Sequence, residues 1–209
     1  MKITIEGRNE NWRSTLINGE YQSLIEAVEK NKSNLMEAEL DGVDLSGADL
    51  SGGLLRYAHL SRAILVGTNL TGADLGLSNL AWANLKNADM SKSELTWVDM
   101  KEADLTNACL VGAALMRADL TKSNLSGTNL MGADLREVNG LKTATIDSET
   151  DFRAAIGLNP EQLGWIAKKG GKLGMRQVLS LPSDVRDAYI AEGAQYYLKK
   201  LKKTLDLKM

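Results

Sequence analysis

Leucine stands at every fifth position from Leu35 to Leu135, with Met90 and Met100 as the only replacements, and the frame holds through twenty-one positions without an insertion or deletion. A helix repeats its apolar face near 3.6 residues and a flat strand near 2, so a strict period of five fits neither and predicts a chain that winds around its own core. Two residues before each leucine the side chain is small: twelve of the twenty-one are Ala, four are Ser, and Thr68, Thr128, Val43, Val98 and Gly53 complete the set. Residues two apart share a side of an extended chain, so both positions point inward. The residue between them points outward, and sixteen of the twenty-one are Asp, Asn or Glu. The last place of the unit is Gly in eight cases, among them Gly42, Gly47, Gly52 and Gly132, which suits a corner at positive φ. Each unit therefore predicts a short extended piece followed by a turn.

Ala48-Asp49-Leu50-Ser51-Gly52, Ala73-Asp74-Leu75 and Ala133-Asp134-Leu135-Arg136-Glu137 follow a pattern A(D/N)Lxx. In this the chain resembles the pentapeptide-repeat proteins. The resemblance covers about half the chain, and it implies an all-β solenoid: a right-handed quadrilateral β-helix with four units per coil, hence about five coils. Neither the handedness nor the square section follows from the spacing itself. With four units per coil, residues twenty apart stack, and Leu35, Leu55, Leu75, Leu95, Leu115 and Leu135 form one buried column.

The flanks break the frame. Within residues 1–33, Met1 to Ile5 alternates like a short strand, and Ser23 to Lys30 predicts an amphipathic helix with Leu24, Ile25 and Val28 on one face, placed to cap the first coil. The β-helix is expected over 34–140. Residues 141–209 are expected to form a small helical C-terminal region, with helix starts at Asn159-Pro160 and Ser183 and a stop at Gly170-Gly171. From Asp184 to about Leu205, Ala194, Tyr197, Leu198, Leu201 and Leu205 line one face, and Lys199, Lys200, Lys202 and Lys203 lie away from it.

Charge changes the picture only through its distribution. Residues 31–140 carry fourteen acidic and nine basic side chains, a net of −5, and residues from 141 onward carry eight acidic and twelve basic, a net of +4. The basic tail invites a nucleic-acid or membrane reading, but a solvated helix face is the commoner meaning of four clustered lysines. Direct nucleic-acid binding and membrane attachment are not expected. Cys109 stands alone, so no intramolecular disulfide forms, and no apolar run reaches the length of a membrane span or a signal-peptide core. The expected setting is the cytoplasm.

Catalytic chemistry finds little support. His59 is the single histidine and Cys109 the single cysteine, which excludes multi-histidine and paired-cysteine metal sites. Stacking twenty apart pairs Asp99 with Asp119 and Asp74 with Glu94, an arrangement that can hold a proton or a cation. Asp and Asn recur at this place throughout, however, and bond local backbone, so a regular ladder singles out no site. No catalytic residue, cofactor or metal is assigned, and no enzyme is expected.

The informative positions are those where the outward residue departs from the rule: Leu54, His59, Ile64, Cys109 and Ala114. Tyr57, Leu77 and Trp97 share one outer column, and Trp82 stands above Arg62 on the next side. Leu54, Tyr57, Ile64, Leu77, Trp82 and Trp97 thus form a candidate exposed apolar patch, covered either by the C-terminal helices through Tyr197, Leu198 and Leu201 or by another protein. The expected function is a non-enzymatic scaffold that presents a rigid β-helix surface to a protein partner whose identity the sequence does not give. The coil ends and the aromatic column are both candidate homodimer contacts. The family resemblance implies an alternative, a DNA-mimicking binder that inhibits or protects a type II topoisomerase such as DNA gyrase. Those relatives commonly carry Phe at central positions, and here no position of the frame has one.

Overall fold

The computed structural model describes residues 2–8 and 13–192. All twenty-one central side chains, Met90 and Met100 included, are at most 1% exposed, and the small side chains two residues earlier, such as Ala48, Ala73 and Thr68, are buried beside them. Most polar members of this inner ring are paired across layers or within the unit: the Thr68 hydroxyl donates to the Leu45 carbonyl at 2.8 Å, the Thr128 hydroxyl to Leu105 at 2.8 Å, and the Ser93 hydroxyl to Met90 at 2.6 Å, whereas Ser78 Oγ has no partner.

From Glu39 to Asp119 each outward residue makes a parallel bridge to the one twenty positions on, for example Asp49 to Asn69, Asn69 to Asp89 and Asp99 to Asp119. The backbone closes each layer on the next through regular bonds such as Leu85 N–H to Asp104 carbonyl at 2.8 Å and Asp104 N–H to the Ala83 carbonyl at 2.9 Å. A five-residue unit leaves one outward residue between two inward ones before the chain turns, so each bridge is a single residue long. Among the described residues, extended strands are confined to β1 (Lys2–Arg8) and β2 (Arg13–Glu20), an antiparallel hairpin with an irregularity between Ile5 and Glu6. The alternation at the N-terminus marks β1; β2 has no comparable apolar alternation and escaped the sequence pattern.

The hairpin joins the first layer through an antiparallel bridge from Gly7 to Ala38, and Ile3, Ile5 and Ile17 extend the core below it. α1 (Leu24–Lys30) starts at Ser23, whose hydroxyl accepts the Glu26 N–H, and buries Ala27 and Val28, with Leu24 and Ile25 partly buried beside them.

The fivefold frame ends at Gly140, but the pairing runs on. Asn124 bridges Thr145, Asn129 bridges Asp151, Asp134 bridges Ile156, and Asp151 bridges Lys172, at separations that widen to 21 and 22 residues. Thr150-Asp151-Phe152 repeats the small, acidic, large order out of frame, with Thr150 and Phe152 fully buried. The single Phe of the chain therefore does stand at a central place, hidden from a fixed-period reading by the inserted residues. α2 (Pro160–Lys168) opens with a capping box between Asn159 and Gln162 and buries Leu163, Ile166 and Ala167; α3 (Met175–Leu179) buries Val178. Residues 183–192 are helical, and the Tyr189 hydroxyl accepts the Leu173 N–H at 2.8 Å and donates to the Gly171 carbonyl at 3.2 Å. These helical segments pack on the last layers of the stack. The tail face expected from Ala194 to Leu205 lies outside the described residues.

Candidate interaction surface

Every unit turns its corner at one residue with positive φ, two places after the central side chain, and all twenty-one corners in the frame adopt it. Eight are Gly and thirteen carry side chains. The left-handed region costs a residue with a Cβ about 1 kcal/mol, more for bulky ones. The corners are not filled at random. The ladder Glu37, Tyr57, Leu77, Trp97, Arg117, Glu137 has no glycine, and the next has Gly42 followed by Arg62, Trp82, Glu102 and Lys122. The remaining two ladders hold only Gly and Asn, apart from Lys92.

The outward Asp and Asn residues have a local task. Asp49 Oδ1 accepts the Ser51 N–H at 3.1 Å, Asn69 that of Thr71 at 3.1 Å, and Asp89 that of Ser91 at 2.9 Å, and the same bond from residue i+2 recurs along the stack. It steadies the corner that follows. Donated hydroxyl and amide bonds hold Asp89 below the usual carboxylate range. The stacked carboxylates expected from the spacing are present, and Asp99 and Asp119 are bridged by Lys101 at 3.1 and 3.4 Å. One lysine serves both carboxylates, as expected of a structural ladder. Among the described residues no group of three His, Cys, Asp or Glu side chains is arranged to hold a metal ion, and no helix is long and apolar enough to cross a membrane. His59 bridges Glu39 and Asn79, Cys109 bridges Asp89 and Asn129, and these ladders are ten residues out of phase, so the two side chains do not meet.

Leu54 and Ile64 have no acceptor and give up the corner bond that Asp or Asn would make. Both are exposed, at 43% and 38%, and so are Tyr57, Leu77, Trp82 and Trp97, at 40 to 51%. Tyr57, Leu77 and Trp97 follow one another on one corner ladder, as their N–H bonds to Gly76, Thr96 and Met116 in the next layer require. Trp82 stands on the neighbouring corner, and Leu54 and Ile64 flank the pair on the adjoining sides. The described helical segments lie at the end of the stack and leave all six exposed.

Cations sit over the rings: Arg56 over Tyr57 at 5.7 Å, Arg62 over Trp82 at 5.5 Å and Arg117 over Trp97 at 4.8 Å. Arg117 also pairs with Glu137 at 2.7 Å. Beyond Trp97 the patch runs into a groove of about 920 Å³ whose far wall is α2, where Lys142 lies 5.5 Å from the Trp165 ring. Arg117, Lys142 and Trp165 were not singled out by the sequence pattern. Arg117 could have been, because it stands twenty residues after Trp97; Trp165 depends on where α2 folds back.

The family model described as pentapeptide repeats matches in eight copies within residues 31–52, 44–80, 54–91, 78–115 and 99–137. No curated protein matches the chain. Among solved structures, the chain is similar to the pentapeptide repeat protein Rfr23 of the cyanobacterium Cyanothece 51142, with 32% identity, a TM-score of 0.43, and coverage of 44% of this chain and 63% of that one. It is similar to HetL, a pentapeptide repeat protein involved in heterocyst differentiation regulation in Nostoc sp. strain PCC 7120, with 31% identity, a TM-score of 0.44, and coverage of 55% and 54%. It is also similar to QnrB1, a plasmid-mediated fluoroquinolone resistance protein, with 18% identity, a TM-score of 0.39, and coverage of 66% and 79%. The matched part thus spans less than two thirds of Rfr23 and of HetL. With the repeat frame, the twenty-residue bridges and the family match over residues 31–137 in agreement, the chain belongs to the pentapeptide-repeat family.

Proposed function

We propose that the protein is a non-enzymatic cytoplasmic scaffold that presents one side of a right-handed, four-sided β-helix of about five coils to a protein partner. In this reading residues 1–33 cap the first coil, 34–140 form the regular body and 141–209 close the other end. The observation that carries it is the uneven filling of the corners. Tyr57, Leu77, Trp82 and Trp97 occupy left-handed positions that on the other two ladders go to Gly or Asn, apart from Lys92, and they remain 40 to 51% exposed. Folding alone favours small residues there, so bulky apolar ones on two neighbouring ladders point to recognition.

The test is site-specific photo-crosslinking in the native host, with the probe at Leu77 on the filled corner and at Asn87 on a bare one. Adducts formed at 77 and absent at 87 agree with the proposal; equal yields from both, or none, contradict it.

The second reading is a DNA-mimicking ligand of a type II topoisomerase, favoured by the −5 charge of residues 31–140. Against it, at least eight of the fourteen acidic residues in that span are paired with Lys or Arg, including Asp74 with Arg56 at 3.3 Å and Asp104 with Lys86 at 3.1 Å. A DNA mimic needs its negative charge unpaired. A gyrase supercoiling assay decides: inhibition or protection by purified protein restores this reading, and no effect at high concentration removes it.

A further inference from the structure

We infer that the occupant of this surface is a second copy of the same chain, packed face to face and antiparallel about a two-fold axis that passes beside Leu77 and Trp82. The inference rests on the scaffold reading and names its partner.

Both filled corner ladders have the same plan: apolar in the middle, with opposite charges on either side. Along the first, Glu37 and Tyr57 lie one way from Leu77, and Trp97 and Arg117 lie the other way, at equal steps of one layer. Along the second, Arg62 and Glu102 lie one step either side of Trp82. A two-fold axis in the interface plane, perpendicular to the stack, sets each ladder against its own copy in reverse order. With the axis at Leu77, Leu77 meets Leu77, Tyr57 meets Trp97 and Glu37 meets Arg117. With the axis at Trp82, Trp82 meets Trp82 and Arg62 meets Glu102. Leu77 and Trp82 are five residues apart in a twenty-residue layer, about 1.2 Å along the stack, so one axis serves both ladders.

Complementarity of this kind needs the charges to be oppositely placed on each ladder, and they are: Glu37 before and Arg117 after the first apolar run, Arg62 before and Glu102 after the second. Arg117 and Glu102 are also paired within the chain, to Glu137 at 2.7 Å and Lys122 at 3.6 Å, so their contacts to the copy are shared ones. A parallel pairing, with its two-fold axis along the stack, would set the first ladder against the second, placing Arg117 against Lys122, Trp97 against Glu102 and Tyr57 against Arg62, so no charge would meet an opposite one, and it is disfavoured. On the polar strip between the ladders the same axis sets His59 against Asp99 and Glu39 against Asp119, and Lys101, which bridges Asp99 and Asp119 at 3.1 and 3.4 Å, is the cation that offsets the like-charge contact. Arg62, Glu102 and Arg117 are exposed, so the charge pairs would form at the rim of an aromatic centre, the usual anatomy of a protein interface.

The experiment is sedimentation equilibrium of the full chain with charge reversals. Each single variant, Arg62→Glu or Glu102→Arg, breaks its contact twice in a two-fold pair and is expected to raise the dimer dissociation constant by at least about tenfold. The double variant Arg62→Glu/Glu102→Arg rebuilds the pair with its signs exchanged and is expected to return most of that loss. Independently, Leu77→Cys in a Cys109→Ser background should give a covalent dimer on oxidation, because a residue on the axis meets itself, and Asn87→Cys in the same background should not. All five variants keep the corner backbone, and their circular dichroism reports whether they fold. A protein monomeric up to about 100 µM, a double variant no better than its singles, or crosslinking at 87 as readily as at 77 overturns the pairing. If the purified chain is monomeric while the probe at Leu77 still captures a different protein, the second copy is excluded and the scaffold reading stands; if neither occurs, both fall.

Discussion

The Arg62 guanidinium lies 5.5 Å from the centre of the Trp82 ring, and both residues turn their corners at φ 59. A side chain at such a corner leaves the stack outward, and its neighbour twenty residues on emerges one layer away, which is why cation and ring meet. The fold gains little from either and bears the left-handed backbone of both. Trp82→Gly is therefore expected to leave the unfolding free energy within about 1 kcal/mol of the wild type, the relief of φ offsetting the lost stacking. Gly72→Trp is the reverse case. A Cβ there meets nothing within 4 Å, and the variant should lose about 1–2 kcal/mol to backbone strain. Urea unfolding of the two variants checks this. A loss above about 3 kcal/mol for Trp82→Gly would mark the ring as structural and remove the argument from corner filling.

Ser78 and Ser93 occupy the same inward place, yet their hydroxyls differ. Ser93 donates to the Met90 carbonyl at 2.6 Å, whereas Ser78 Oγ is buried with no partner. Twelve equivalent positions carry Ala, so Ala fits this place without adjustment. Ser78→Ala is expected to stabilise the protein by about 1 kcal/mol, and Ser93→Ala to destabilise it by about the same amount. Thermal melts of the pair carry the prediction in their opposite signs; shifts of the same sign would contradict it.

Acid sensitivity follows from the corner carboxylates. Bonds from the Ser51 hydroxyl and amide, with Lys32 nearby, bring Asp49 down to about 2; the Ser91 hydroxyl and amide lower Asp89, and Arg136 lowers Asp134. An unfolded carboxylate titrates near pH 4. Groups depressed in the folded state contribute stability that is fully present above that value and lost as the pH falls through the folded pKa. The melting temperature should thus be insensitive to these groups above about pH 5 and fall between about pH 4 and 2. Asn makes the same corner bond at Asn69 and Asn79 without a charge. The triple variant Asp49→Asn/Asp89→Asn/Asp134→Asn should therefore keep most of its stability at neutral pH and show a shallower acid slope, and an unchanged slope would exclude these carboxylates as its source.

How far the chain could be read in advance depended on whether a feature obeys the frame. Leu50, Ala48 and Asp49 each declare their direction through a period that never slips, and the ladder of Tyr57, Leu77 and Trp97 follows once layers of twenty are assumed. Glycine marked only eight corners. The left-handed turn at Trp82 or Arg117 is invisible at the residue itself and follows only from its place in the unit. Past Gly140, insertions of one and two residues carry Phe152 out of register, so a fixed period loses a layer that the backbone still builds. The groove at Trp97 depends on where α2 returns, a long-range contact that local pattern does not encode.

Leu85 tests the core directly. It is fully buried in mid-stack, and its N–H bonds the Asp104 carbonyl while its layer neighbours Leu65 and Leu105 are buried as completely. Truncation there removes a large side chain from a column that cannot collapse, because each layer is pinned to the next by backbone bonds. Leu85→Ala is expected to lose about 2–5 kcal/mol. Leu85→Lys places an ammonium where no carboxylate can reach and should abolish cooperative folding. Leu77, eight residues earlier on an exposed corner, gives the control: Leu77→Lys keeps its charge in water and should unfold within about 1 kcal/mol of the wild type. Circular dichroism melts of the three variants compare the positions. A Leu85→Lys protein that melts like the wild type would overturn the stacked core, whatever the surface binds.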